Sequence, residues 1–299
     1  MAILVDFSQV VLSSCYAFGD VLSIDNPDSE QGKDLIRHVI LSQLKYYNTK
    51  YKSQYGKLIV CCDGRHYWRR DIFPYYKACR KKAREESNLN WKLIFEVIDQ
   101  TIIELQQNFT FPIIRLDSAE SDDVIATLTE YFQNNEKVEK GIFGFAQPVL
   151  IVSSDKDFVQ LHKYDNVKQI SPRTKQLVKV DDPVFYLTEK VLKGDRGDGI
   201  PSVLNEDDSF VNHKKCSIMT KKRIEKLLNE GFENCNDPQV KQHWMRNKQL
   251  IDFQYIPDQI KHQIIEQYKK PVEGNKVKIF NYLLNNKCNV LLKDISSLM

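Results

Sequence analysis

The sequence predicts an α/β fold: a mostly parallel central sheet flanked by helices, followed by an α-helical C-terminal region. Three observations predict it. Four short apolar runs, Ala2–Val5, Leu58–Cys62, Phe111–Leu116 and Val149–Val152, are bounded by polar or turn residues, as strands covered on both faces are. Segments with apolar residues at helical spacing separate these runs, the alternation that builds parallel sheets. Beyond residue 182 the helical spacing continues and no further strand is expected.

Ala2–Val5 ends in Asp6-Phe-Ser. Leu35, Ile36, Val39, Ile40 and Leu44 then mark an amphipathic helix from Gly32 to about Tyr51, which Gly56 closes. The second strand ends in Asp63-Gly64. A segment rich in basic and aromatic residues follows, and Trp91–Leu105 resumes a helix. After the third strand, Asp117-Ser-Ala-Glu-Ser-Asp-Asp-Val124 opens a helix with Glu120, Asp122 and Asp123 in or before its first turn, where the helix dipole favours acids. Val149–Val152 stops at Ser153-Ser154, with Asp155 and Asp157 where the next element begins. Val167–Ile170 and Gln176–Val180 flank Ser171-Pro-Arg-Thr-Lys175 and read as a hairpin. Asp182-Pro183 starts a helix whose buried stripe is Val184, Phe185, Leu187, Val191 and Leu192, ended by Gly194. A basic helix is expected from about Ser217 to Leu228, and three more around Val240–Phe253, Asp258–Tyr268 and Val277–Leu292. The organisation expected is an α/β domain over 1–181, including a basic segment at 65–92, and an α-helical region over 182–299 packed directly on the sheet.

A chain of 299 residues, 42% hydrophobic and 28% charged, can bury a full core. No run of about 18 apolar residues suggests a membrane span, and the N-terminus reads as a strand rather than a signal peptide. The seven cysteines are irregularly spaced, which suits reduced thiols better than a disulfide framework. A cytoplasmic protein is expected, in the host-cell cytoplasm if a phage encodes it. The net charge of +3 is unevenly placed. Arg65, Arg69, Arg70, Lys77, Arg80, Lys81, Lys82 and Arg84 face only Asp71, Glu85 and Glu86 within 65–86, leaving the rest of the chain slightly acidic. Tyr67, Trp68, Phe73, Tyr75 and Tyr76 interleave with these cations, as phosphate contact combined with base stacking requires.

The acids carry the chemistry. Each of the four strands delivers acids at or just past its carboxyl end: Asp6, Asp63, then Glu120, Asp122 and Asp123, then Asp155 and Asp157; Asp198 lies in a glycine-rich loop. One acid after a strand is an ordinary cap; the same event on every strand is not. Parallel strands bring those ends to one edge, where ligands collect, and crowded carboxylates destabilise one another unless a cation joins them. There is no CxxC and the histidines are scattered, which argues against zinc. All-oxygen donors suit Mg2+, with Mn2+ able to substitute, and their number suggests two ions. Two ions beside a basic segment point to phosphodiester hydrolysis. No P-loop, G-x-S-x-G elbow or serine–histidine pairing offers another chemistry.

Asp6, Cys62-Asp63, Ala119-Glu-Ser-Asp-Asp123, Ser154-Asp-Lys-Asp-Phe158 with Gln160-Leu161, and Gly194-Asp-Arg-Gly-Asp198 resemble, in order, the five acidic blocks of the 5′-nuclease (flap endonuclease) superfamily. Further segments, Tyr67-Trp-Arg-Arg-Asp71 and Lys82-Ala-Arg-Glu-Glu-Ser87 among them, are similar to its phage ribonuclease H branch, and the likeness runs from Asp6 to beyond Tyr282. The resemblance implies a 5′-to-3′ exonuclease and flap endonuclease that removes RNA primers and 5′ flaps during replication, with ribonuclease H action on RNA–DNA hybrids. It implies one ion among Asp6, Asp63, Asp122 and Asp155, a second on Asp157 and Asp198, and Glu120 bridging or behind them. Lys77 and Arg84 would steer and polarise the scissile phosphate, with Asp122 counted among the catalytic acids. Tyr76 would stack on a base or on the terminal nucleotide. Arg69, Arg70, Arg80, Lys81 and Lys82 would contact nucleic acid from a helical arch that is expected to be disordered without it. Lys221, Lys222 and Arg223 would hold duplex phosphates from a helix-three-turn-helix element. The partners implied are flapped DNA and RNA–DNA hybrid, with a single-strand-binding protein and a sliding clamp as candidates, and the chain is taken as a monomer.

Two departures from the family pattern stand out. The glycine-rich hairpin expected after the last acid is replaced by Ile200-Pro-Ser-Val203 running into Asn205-Glu-Asp-Asp208, and an apolar insertion spans 141–147. Two other readings are a non-catalytic branched-DNA-binding module of the same fold and a compact PIN-type RNase. A binder has no use for acids that repel DNA, and PIN RNases lack the arch and the long helical second half.

Overall fold

The computed structural model describes residues 1–25, 29–134 and 147–299. In chain order the elements are β1 (Ala2–Asp6), α1 (Phe7–Cys15), α2 (Ser29–Tyr55), β2 (Lys57–Cys62), α3 (Trp68–Ile72), α4 (Cys79–Glu85), α5 (Trp91–Asn108), β3 (Ile113–Arg115), α6 (Ser121–Asn134), β4 (Val149–Val152), a 3-10 segment Lys156–Lys163, and β5 (Val167–Ile170). Then come α7 (Pro183–Lys193), α8 (Lys221–Glu230), α9 (Pro238–Ile251), α10 (Asp258–Lys269), α11 (Lys276–Asn285) and α12 (Asn289–Leu292).

The strands form one sheet in the order β3-β2-β1-β4-β5, every pairing parallel. Alternation along each strand sends side chains to opposite faces. Ile3, Val5, Val60 and Val152 join a core under α1, α2, α5 and α11, whereas Leu4, Ile59 and Ile151 join a second core under α6 and α10. Both faces being covered explains why the strands read as continuous apolar runs. A third cluster ties Phe73 and Tyr76 of the basic segment to Val191, Leu192, Ile200, Trp244 and Leu250. The base of the segment is therefore anchored by burial of aromatic rings, whereas α4 buries none of its residues.

The register fixes the working edge. Val5 pairs with Val60 and Val152, and Asp6 pairs with Cys61, so Asp63 and Asp155 each follow two residues beyond the level of Asp6, on either side of β1. Strand order reverses direction between β1 and β4, the switch point where open α/β sheets hold ligands at their carboxyl ends.

Several expectations are corrected. Gln176–Val180 forms no strand: β5 pairs in parallel with β4, and the second arm is reduced to one bridge, Ile170–Leu177, because Leu177 is exposed and has no layer to pack on. In α7 only Val191 and Leu192 are buried; Val184 (69%) and Phe185 (49%) are exposed. The third strand is just Ile113–Arg115. The last expected helix is broken into α11 and α12 at Lys287, whose φ of 56° leaves the helical region. The basic helix begins at Lys221, where the Thr220 side chain accepts from the Arg223 N–H and caps it. Gly56 does close α2, in a conformation (φ 75°) that L residues avoid. The insertion 141–147 lies, apart from Gln147, outside the described residues. No described helix is long and apolar enough to cross a membrane.

Candidate active site

Asp6 is buried at the end of β1 and doubles as the N-cap of α1, accepting from the Gln9 N–H. Its other oxygen accepts from Ser153 Oγ at 2.8 Å, so β4 and β1 are stitched at the switch point. Asp63 accepts from the Ser121 N–H at 2.8 Å, which turns the N-terminus of α6 towards the end of β2. Asp155 caps the 3-10 segment through the Asp157 N–H, and the Gln169 amide donates to its backbone carbonyl. Local capping chemistry thus aims these carboxylates at one crevice.

Their electrostatics show strain that capping does not relieve. Burial, then the charges of Asp63 and Asp155, push the Asp6 carboxyl up to about 7, against the hydrogen bonds from Ser153 and Gln9. Burial, then Asp155, Asp6 and Glu120, hold Asp122 well above the ordinary carboxylate range. Asp155 is likewise raised, by burial first and by Asp198 and Asp195, with Lys190 and Lys77 opposing. Such a set is short of positive charge, and its donors are all oxygen, so the residues present fit a hard divalent cation.

A second group adjoins the first. Carboxylate oxygens of Asp157, Asp195 and Asp198 all lie within 4.8 Å of one another. Asp195 and Asp198 share a tight loop after α7. Gly194 makes the turn possible: its φ is 72°, and a Cβ there would lie 2.3 Å from the Ile200 carbonyl. Asp195 Oδ1 accepts from the N–H groups of Gly197 and Asp198, and its other oxygen lies 2.8 Å from the Lys190 ammonium. The sequence reading missed Asp195, although Gly194-Asp-Arg-Gly-Asp198 contains it.

The basic segment meets the acids directly, through Lys77 as expected and through Arg80. Lys77 pairs with Glu120 and lies 3.7 Å from Asp198; Arg80 reaches Asp198 at 2.5 Å. Arg84 contacts none of the acids among the described residues and lies over the Phe95 ring, whereas Arg80 is paired with Asp198. Tyr76 is buried and donates to Glu120 and Asp198, leaving no ring face for a base. Arg69 is buried too, bonded to Glu120 and Asp123, and is unavailable to a phosphate in this arrangement. Arg69, Tyr76 and Lys77 all bond the oxygens of Glu120, which ties the base of the arch to the start of α6. Burial alone would raise its pKa, but Lys77 and Arg69 outweigh burial and hold it below the usual range.

Asp123, read from the sequence as a helix-turn acid, is fully buried and receives Trp68, Arg69 and the Glu120 N–H. Arg70, Lys81 and Lys82 are exposed on the arch, as are Lys221, Lys222 and Arg223 at the start of α8.

Residues 1–191 match the family model of the 5′–3′ exonuclease N-terminal, resolvase-like domain, and residues 182–298 match that of the T4 RNase H C-terminal domain. Ribonuclease H of Enterobacteria phage T4 is 34% identical over 308 residues, spanning 98% of this chain and 94% of that protein. DNA polymerase I of Streptococcus pneumoniae is 27% identical over 158 residues, 49% of this chain and 16% of the polymerase. In structure, bacteriophage T5 5′-exonuclease with bound zinc superposes with a TM-score of 0.61 at 18% identity, covering 90% of this chain and 100% of that one. A T5 flap endonuclease in a pseudo-enzyme–product complex with DNA and metal ions superposes at 0.56 and 18%. At that identity the T5 structures speak for the fold, and the two family models with the T4 relative speak for descent. The chain belongs to the 5′–3′ exonuclease family, as a nuclease whose resolvase-like α/β domain continues into a C-terminal region of the T4 RNase H type.

Proposed function

We propose that this nuclease uses two Mg2+ ions, replaceable by Mn2+, to hydrolyse phosphodiesters from 5′ ends, trimming RNA primers and 5′ flaps at branched duplexes. The observation that carries this reading is the convergence, at one sheet edge, of acids that burial and mutual repulsion hold above their ordinary pKa. Asp6, Asp63, Asp122 and Asp155 would hold one ion, and Asp157, Asp195 and Asp198 the other. When bound, such ions acidify water and stabilise charge on an in-line phosphoryl displacement. The chain's own cations do the rest. Lys77 and Arg80 attract the scissile phosphate and exchange their present carboxylate partners for its oxygens. Arg70, Lys81, Lys82 and Arg84 lie along the exposed arch, suited to single-strand phosphates, and Lys221, Lys222 and Arg223 suit duplex backbone. The setting would be the cytoplasm of the host cell.

The test is a 5′-labelled flap duplex and an RNA-primed nick, incubated with Mg2+ or EDTA. Cutting near the junction with Mg2+, and intact but bound substrate with EDTA, is the expected pattern. Tight binding without cutting in both Mg2+ and Mn2+ would return the chain to the binding-module reading.

The same acids predict a pH signature without substrate. A carboxyl raised on folding contributes stability that is complete below its unfolded value, 3.8 for Asp6, and is lost as pH rises through about 7. Asp122 and Asp155 are raised as well, whereas Glu120 and Asp195, held low, lose stability only in more acid solution. The metal-free protein should therefore lose on the order of 5 °C in Tm between about pH 5 and pH 7.5. Mg2+ should raise Tm more at the higher pH; an equal rise at both would count against cation relief of these acids.

A further inference from the structure

Lys190 has no part in the sequence reading, yet it sits among the second group of acids. It lies in the last turn of α7, four residues before the Gly194 break, and its carbonyl accepts from the Gly194 N–H at 2.8 Å. Its ammonium bonds Asp157 Oδ1 and lies 2.8 Å from Asp195 Oδ2, with only 14% of the side chain exposed. Asp157 has no other side-chain partner among the described residues. The third member, Asp198, is served separately by Lys77 and Arg80.

We propose that Lys190 is the resident cation of the Asp157, Asp195 and Asp198 trio, an ammonium that a divalent ion must displace before it can bind there. Three carboxylates this close repel one another, and a single positive charge touching two of them offsets that repulsion while the site holds no metal. Lysine suits this role because it is a strongly hydrated point charge on a flexible stem, able to swing aside, where arginine would hold both acids through a planar fork. The lysine-bound state lowers the apparent metal affinity in proportion to its population. Once displaced, the ammonium stays at the rim of the trio, where an incoming phosphate can take it up. This inference rests on reading the trio as a divalent-metal site.

Calorimetric titration of the metal-free full chain with Mn2+, without nucleic acid, tests it. The binding component lost in Asp157→Asn identifies the trio. Lys190→Gln should bind Mn2+ there about tenfold more tightly than the native chain, with a larger Mn2+-induced rise in Tm, and Lys190→Arg several-fold more weakly. Lys193→Gln removes the same charge from the same helix, where Lys193 pairs only with Glu189 among the described residues, and should titrate like the native chain. Unchanged or weaker binding by Lys190→Gln, or unchanged binding by Lys190→Arg, would overturn the proposal and make Lys190 a strut that shapes the site. If Lys190→Gln fails to fold, the arginine variant decides alone. A native chain that takes up no Mn2+ at all would instead refute the metal reading beneath it.

Discussion

Asp155→Asn should abolish cleavage and leave the fold and substrate binding intact. Asparagine caps the following 3-10 segment as well as aspartate does, so the hydrogen bond to the Asp157 N–H survives. The Gln169 contact is to the backbone carbonyl and is indifferent to the change. What disappears is one negative charge next to Asp6 and Asp122, whose raised pKa values owe part of their shift to it. Relieved of that repulsion, the metal-free variant should be at least as stable as the native chain. Loss of a carboxylate from a metal-binding crevice should remove several kcal/mol of transition-state stabilisation, so cleavage should fall at least about a hundredfold. Flap binding should hold or tighten, because an acid that repels phosphate has gone. A variant that cuts within about threefold of the native rate would remove Asp155 from the site; one that melts much earlier would make its role structural.

Arg69→Met should have the largest effect on stability of any single change in the arch. Arg69 is 3% exposed. Its Nε donates to the Leu250 carbonyl at 2.9 Å, one terminal nitrogen reaches Glu120 and Asp123 at 2.8 and 3.0 Å, and the other lies 2.7 Å from Asp123. One side chain therefore joins the arch base, the start of α6 and the end of α9. Methionine fills much of the volume but leaves two buried carboxylates short of their shared partner, a loss of about 3–5 kcal/mol. For a chain of this size that is a fall in Tm of roughly 10 °C. Arg70→Met is the contrast: Arg70 is exposed over the Tyr67 ring, and its removal should change Tm by under about 2 °C. A thermal melt separates the two; equal small shifts would mean that the buried network holds nothing together.

These adjacent arginines show where reading the chain as a string reaches its limit. The succession of the first four strands along the chain, their carboxyl-end acids and the expectation that Asp6, Asp63, Asp122 and Asp155 share one edge followed from local chemistry. Apolar runs of strand length, helix caps and the parallel geometry they imply are properties of a few residues at a time. The helix ends behaved the same way where they were read, Asp182 capping and Gly56 and Gly194 stopping, because a cap needs only its own turn.

The fate of each cation was different. Arg69 and Arg70 are neighbours of one type in one basic run, but one is buried against acids 51 and 54 positions away and the other faces solvent. Tyr76, Lys77, Arg80 and Lys190 find Glu120, Asp198, Asp157 and Asp195 only because the third apolar cluster pulls the arch base onto α7 and α9. Asp195, whose motif was in plain view, becomes a candidate ligand through the turn at Gly194 that brings it beside Asp157. Periodicity and capping are short-ranged and can be read along the chain. Charge pairing acts through space, at distances that only packing sets.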